Sequence, residues 1–355
     1  MIGKAVGAAR AAAPTRAFPR ASMIPVLEVC LLVIFAGLPI VLKDFWVVFV
    51  TRVLILTLLS LSFDLVWGFA GIMSFGQALF FGAAGYGVAL VARDLGIRAI
   101  WVVLPLALVI GLLLSFLLAC FVLLGRHPPS IIFVALGTLT CSYAGDRLAR
   151  GWYYLGGQNG IPSIPLMTAG SYELGEGVAY YYLALVTVVG AYLVCRFLVR
   201  SQFGLALAGI RIQEARMAFF GYKVQTLKAI VFSVAGAIAG LAGGLYAFHE
   251  GFVWPNMLGV VLSTQIVLYA LFGGVGTLIG AVIGVVVIEI VSFVLADNYQ
   301  TVWPIVLGVL LLLVILFRPG GLISLVVPER ERIGAFSAVS GRRKHVGGEA
   351  VDGTA

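Results

Sequence analysis

The sequence predicts an all-α protein, a polytopic bundle of transmembrane helices, and three observations carry that expectation. Apolar residues make up 62% of the 355-residue chain and charged residues 11%, where an ordinary globular chain is about 25% charged. The apolar residues gather into runs close to the ~20 residues that a helix needs to cross a hydrocarbon core. The charges stand mostly in the gaps between those runs. So much apolar surface has only lipid or other spanning helices to face, which excludes a soluble enzyme, a disordered chain and a disulfide-stapled secreted module. A formal charge of +8 does not point to nucleic acid, because the basic residues are confined unevenly to loops.

About ten spans follow in order: Met23–Leu42, Phe45–Trp67, Gln77–Ala92, Ala99–Leu124, Ser130–Ala149, Ala179–Val199, Ala229–Phe248, Leu258–Phe272, Leu278–Ala296 and Thr301–Phe317. Helix is the conformation that satisfies the backbone of such runs in lipid. The third and eighth are short enough to be tilted, broken or re-entrant. Cys30, Cys120, Cys141 and Cys195 fall in or beside apolar runs and read as packing residues.

Basic residues are retained on the cytoplasmic side of a membrane. Along a ten-span path seventeen Lys and Arg fall on one side and five on the other, which places both termini in the cytoplasm. Residues 1–22, rich in Ala and Arg, read as a disordered cytoplasmic extension or as sequence ahead of a start at Met23. Residues 23–325 form the transmembrane domain, interrupted by a cytoplasmic loop at 200–228. The polar, Gly-rich stretch 326–355 reads as a disordered cytoplasmic tail.

No G-x-x-x-x-G-K-[ST] loop occurs, so if transport is driven by ATP, the ATPase is another chain. Four ionisable residues lie within apolar runs: Glu28, Arg52, Asp64 and Glu289. Such groups are costly in hydrocarbon and mark pathways or internal pairs. Arg52 and Glu28 are also within snorkelling reach of a span end, and Asp64 lies one turn from Gly68. The densest local signal runs from Phe63 to Gln77, where Gly68, Gly71, Ser74 and Gly76 break a helix between two spans. Freed backbone groups must then line protein or water, so Gly71, Ser74, Gly76 and Gln77 are candidates for a translocation path. A second break at Gly273-Gly274-Val275-Gly276-Thr277 adds Gly274 and Thr277. One break in each half is consistent with an internal repeat. Gly236, Gly240 and Gly244, like Gly276, Gly280 and Gly284, form tandem GxxxG spacings that let helices approach closely.

The loop after Arg200 is too apolar to be disordered, and its pattern predicts a short amphipathic helix. Ala206, Ile210, Ala215 and Phe219 share one face, leaving Arg211, Glu214 and Arg216 exposed. Such a helix rests on lipid or docks into a partner's groove. On the opposite side, the aromatic stretch Gly151-Trp152-Tyr153-Tyr154 is either an interfacial belt or part of a docking rim.

At these residues the chain resembles a known family. Phe63-Asp64-Leu65-Val66-Trp67-Gly68 with Gly71, then Ser74-Phe75-Gly76-Gln77-Ala78, resembles the opening motif of permease subunits of branched-chain amino acid ABC importers. Phe203-Gly204 through Arg211, Glu214, Gly221 and Lys228 is similar, as are Gly273–Gly280 and Phe317-Arg318-Pro319-Gly320-Gly321-Leu322. The match runs in order over about residues 30–325. It implies a multi-pass permease of the bacterial inner membrane, paired with a second homologous permease subunit. Two cytoplasmic ATPase subunits, holding the ATP and magnesium, and a periplasmic solute-binding protein complete the implied importer. This chain itself is then expected to hold no cofactor and to be no enzyme. Carried over onto this sequence, the coupling element is the 204–221 loop, with Gly204, Gly209, Arg211, Glu214, Ala215 and Gly221 as candidates. The Asp-Leu-Val-Trp-Gly spelling is also similar to urea and short-chain amide permeases, which leaves the solute open. An ion-coupled secondary carrier using Asp64 and Glu289 is the alternative that the residues themselves allow.

Overall fold

The computed structural model describes residues 23–125, 130–298 and 320–325, with isolated positions between 306 and 317. The extension 1–22, the basic turn at Arg126, nearly all of the span Thr301–Phe317 and the tail 326–355 lie outside the described residues. The chain is a helical bundle: α1 Met23–Val41, α2 Asp44–Phe63, α3 Gln77–Leu95, α4 Ile100–Val122, α5 Ile131–Gly151, α6 Val178–Arg200, α7 Gln202–Ile212, α8 Glu214–Phe219, α9 Val224–Glu250, α10 Val260–Gly273 and α11 Ile279–Asn298. Among the described residues six helices are long and apolar enough to cross a membrane, namely α1, α2 with its extension to Phe69, α3, α4, α6 and α9. With 21 residues α5 has the length but carries Asp146, Arg147 and Arg150.

The third span is not short. Its helix continues through Arg93 and Asp94 to Leu95, where Gly96 takes a left-handed conformation and ends it. By contrast α10 has only 14 residues, ~21 Å of helix at 1.5 Å per residue. It is preceded by a single 3-10 turn at Pro255–Leu258 that packs on α3 and α5.

The bundle is built round α9, almost wholly buried between α2, α3 and α4. Small residues make that position possible. On one face Gly236, Gly240 and Gly244 meet Ser115, Gly111 and Ala107 of α4, and a Cβ on Gly240 would stand 2.8 Å from the Gly111 Cα. On another face Gly243 packs against the Phe81 carbonyl of α3. Lipid supplies no hydrophobic drive between helices, so this contact rests on close packing and on bonds such as Ser115 Oγ donating to the Ser233 carbonyl at 3.2 Å.

At the end of the bundle opposite α7 and α8, the connection after α5 is ordered. Ile161 and Val253 exchange backbone hydrogen bonds at 2.9 and 3.1 Å. A two-stranded hairpin, Met167–Ala169 with Tyr172–Leu174, adds a small piece of sheet that the helical reading did not include.

Gly240→Leu should therefore open the α4–α9 contact, at an overpacking cost of about 1–3 kcal/mol. Gly190→Leu, where an added Cβ meets nothing within 4 Å, serves as the control. A melting curve of the detergent-solubilised protein should fall for the first variant and not the second.

Candidate functional site

The two glycine breaks meet, and one carboxylate joins them. Beyond Phe63 the helix α2 widens into a π-helical turn, Asp64–Phe69, a local irregularity frequent at functional positions. Asp64 is fully buried, and its Oδ1 accepts the Gly276 N–H at 2.6 Å while Oδ2 accepts that of Leu278 at 2.9 Å. The approach demands glycine at position 68, since a Cβ there would lie 2.7 Å from the Gly276 nitrogen, and Gly276 itself has φ +82°. Ser60 Oγ, one turn back, reaches the Ala281 carbonyl of α11 at 3.5 Å.

The non-helical stretch 70–76 is tied down by hydroxyls from two other helices. Thr138 Oγ1 of α5 accepts the Phe75 N–H at 3.0 Å, while Ser142 of α5 and Ser263 of α10 donate to the Phe75 carbonyl at 3.0 and 2.7 Å. This is how a broken helix satisfies its backbone away from water. Ser74 is buried and its Oγ accepts the Gly76 N–H at 3.1 Å. Gln77 is buried too; its Oε1 accepts from Ser62 at 3.2 Å, and its Nε2 has no partner. At the second break Gly274 ends α10 with φ +116°. Thr277 Oγ1 donates to the Gly274 carbonyl at 2.8 Å and accepts the Gly280 N–H at 3.1 Å, capping α11. Gly320 and Gly321 pack on Gly274.

Gly71 is not in this interior. With φ +71° it turns toward α7, where an added Cβ would meet the Arg211 Cγ at 3.2 Å. The expected single amphipathic helix is in fact two, α7 and α8, broken at the extended residue Gln213. The break divides the expected apolar face: Ala206 and Ile210 are buried, but Ala215 is exposed and Phe219 is 97% exposed. Nor are the charges all free. Arg211 is half-buried, and burial lowers its guanidinium from the ordinary value while the Asp64 charge opposes that shift. Glu214 accepts a 2.6 Å bond from Lys228 of α9. Gly209 leaves space for Met217 of α8 between the two helices, Gly204 packs on the Val199 carbonyl, and Gly221 makes an exposed turn with φ +86°.

A cavity of about 600 Å³ opens elsewhere, between the first half of α2, the end of α9 and the second half of α11. Arg52, Glu250, His249 and Glu289 line it, with Phe45, Phe49 and Phe293 as an aromatic wall. The sequence singles out Arg52 and Glu289 as ionisable residues in apolar runs, but not His249. No motif links these positions; the one available signal was the rarity of charge in spans. Among the described residues no group of three His, Cys, Asp or Glu is placed to hold a metal ion.

Residues 46–315 match the family model for the permease component of branched-chain amino acid transport systems. The high-affinity branched-chain amino acid transport system permease protein LivM of Salmonella typhimurium is 27% identical, over 84% of this chain and 75% of its own length. The probable branched-chain amino acid transport permease protein LivM of Methanocaldococcus jannaschii is 24% identical, over 75% of this chain and 89% of its own. The autoinducer 2 import system permease protein LsrC of Escherichia coli is 28% identical over 60% of this chain and 63% of its length. No solved structure matches.

Asp64→Asn should destabilise the bundle by about 1.5–3 kcal/mol, because one of two buried N–H donors then faces an NH₂ group. The check is thermal unfolding of the solubilised protein, with Asp44→Asn, at the exposed start of α2, expected to leave the midpoint in place.

Proposed function

This chain belongs to the branched-chain amino acid transport permease family, and from that premise we propose that it is one of two membrane-spanning subunits of an ATP-driven importer. It is a multi-pass membrane protein and a transport subunit. The partners in this reading are a second homologous permease, two ATPase subunits that hold ATP and magnesium, and a periplasmic solute-binding protein. The basic end, with α7 and α8, faces the cytoplasm of the bacterial cell, and both termini lie there. The solute is a branched-chain amino acid. LsrC, named for autoinducer 2 import, marks the nearest alternative among similar proteins, and the urea and short-chain amide spelling marks another.

One observation carries the reading. Contact is continuous from α7 through Arg211 and Gly71 to the buried seam of Asp64 with Gly276 and Leu278. A protein that pushes on α7 and α8 therefore pushes on the junction of the two breaks. The exposed side chains there suit such a partner: Phe219 and Phe220 are 97% and 77% exposed and stand beside Arg216. Gly71, Ser74, Gly76, Gln77, Gly274 and Thr277 then form the moving backbone of the pathway. Gly204, Gly209, Arg211, Glu214, Ala215 and Gly221 shape the coupling element. Against an ion-coupled carrier stands the engagement of one of its two required carboxylates: Asp64 accepts two backbone N–H groups.

Two experiments test this. The purified single chain in liposomes should show no uptake under an ion gradient; uptake without any ATPase would refute the importer. Phe219→Asp with Phe220→Asp, which touch no core of this chain, should reduce co-purification of the ATPase subunits at least tenfold while the permease melts as before. Wild-type recovery of the ATPases with that double variant would remove α8 from the interface.

A further inference from the structure

The cavity between α2, α9 and α11 has a distribution of groups that the seam does not explain. At one side Arg52 makes a single loose ion pair, its Nε 3.8 Å from Glu250 Oε1, and its side chain remains 45% exposed. His249 beside it is 4% exposed and stacks on Tyr180 with ring centroids 5.7 Å apart, its Nδ1 closed off from the cavity surface. Across the cavity the Glu289 Oε1 accepts from both the Tyr269 hydroxyl and Gln265 Nε2. That concentrates two donors on one oxygen and, among the described residues, leaves Oε2 with no hydrogen bond. The third side is apolar: Phe293 packs on Phe45, Trp46 and Phe49 with centroids 5.9, 5.3 and 5.0 Å away.

Each of these is costly to maintain in a membrane-embedded protein for packing alone. An underused guanidinium and a half-used carboxylate are two unmet polar groups facing one space, whose remaining charged lining is Glu176 and the Arg52-paired Glu250. Its ~600 Å³ volume lies in the range of small-molecule sites. An occupant that satisfies both unmet groups carries a negative and a positive group close together and an apolar side group.

We propose that this cavity is the solute-binding site on this chain and that it takes an α-amino acid zwitterion with an apolar side chain. Arg52 binds its carboxylate, Glu289 Oε2 binds its ammonium, and Phe45, Phe49 and Phe293 hold the side chain. Arg52 is the anion group because its planar fork matches a carboxylate bidentately. The assignment rests on the importer reading above and adds to it the residues that recognise the solute.

The test separates the two. The complete importer is first reconstituted and assayed for ATP-dependent uptake of radiolabelled L-leucine; absence of uptake counts against the importer reading for this solute class. With uptake established, saturation-transfer NMR of L-leucine is recorded on the permease–ATPase complex without the binding protein, since the latter would mask a weak site. The leucine methyl signals should appear with the native complex and fall at least fivefold with Arg52→Gln and with Glu289→Gln. The charges should also be read separately: Arg52→Gln should spare isopentylamine and lose 4-methylpentanoate, with Glu289→Gln doing the reverse. Where either variant does not assemble, Ser292→Trp fills the same cavity without removing a charge and should abolish the leucine signal. Native-strength leucine signals in the assembled variants, or no signal from a native complex that transports leucine, would overturn the assignment.

Discussion

Two backbone N–H groups at the start of α11, from Gly276 and Leu278, have Asp64 as their acceptor, and the architecture near them is arranged to allow it. A carboxylate with no water nearby is tolerable only when its lone pairs are filled. Filling them here requires α11 to begin within reach of α2, which in turn requires Gly68 to pass without a side chain. The same requirement fixes the second break. With φ +116° at Gly274 and +82° at Gly276, the chain turns sharply enough to bring the Gly276 and Leu278 N–H groups onto Asp64 in the π turn. Polar specificity in this molecule is thus concentrated at the point where the hydrophobic effect, absent between helices in lipid, specifies least.

Away from that point the bundle relies on shape. The α4–α9 crossing is assembled from Gly, Ala and Ser at four-residue spacing, which lays backbone against backbone. Helix α1 is held differently. It is largely exposed along its length and is fixed to α6 by polar contacts: Glu28 with Arg196 and Tyr192, and the Tyr181 hydroxyl with the Phe35 carbonyl at 2.5 Å. The intramembrane Glu28 that stands out in the sequence is therefore an internal pair, and its partner sits a helix away from either break.

The sequence carried the helical bundle, the two breaks and the GxxxG contacts on α9, because length, apolarity and glycine spacing are local properties. It carried less of what joins them. Asp64 was visible as a charge near a break, yet its partners lie 212 and 214 residues away, a separation no local pattern encodes. The α7–α8 division was missed because the apolar residues keep helical spacing straight through Gln213, whose extended backbone alone separates the two faces. Arg52 and Glu289 were visible as isolated charges, but they become one cavity only when α2 and α11 are laid side by side. His249, at a span end, carries no sequence signal for its burial.

That pairing of α2 with α11 also ties the cavity to the seam. From Arg52 to Asp64 is twelve residues of α2, ~18 Å along its axis, and from Leu278 to Glu289 is eleven residues of α11, ~16 Å. The two helices thus carry the cavity near one end and the Asp64 bonds near the other, with the Ser60–Ala281 contact between. For rods pinned together at one end, a change in separation at the other is a rotation about the pin. Under the proposed coupling, displacement of the 70–76 stretch by Arg211 and α7 would act beside that pin. Packed helices accommodate such motion by switching between discrete contacts more readily than by continuous deformation.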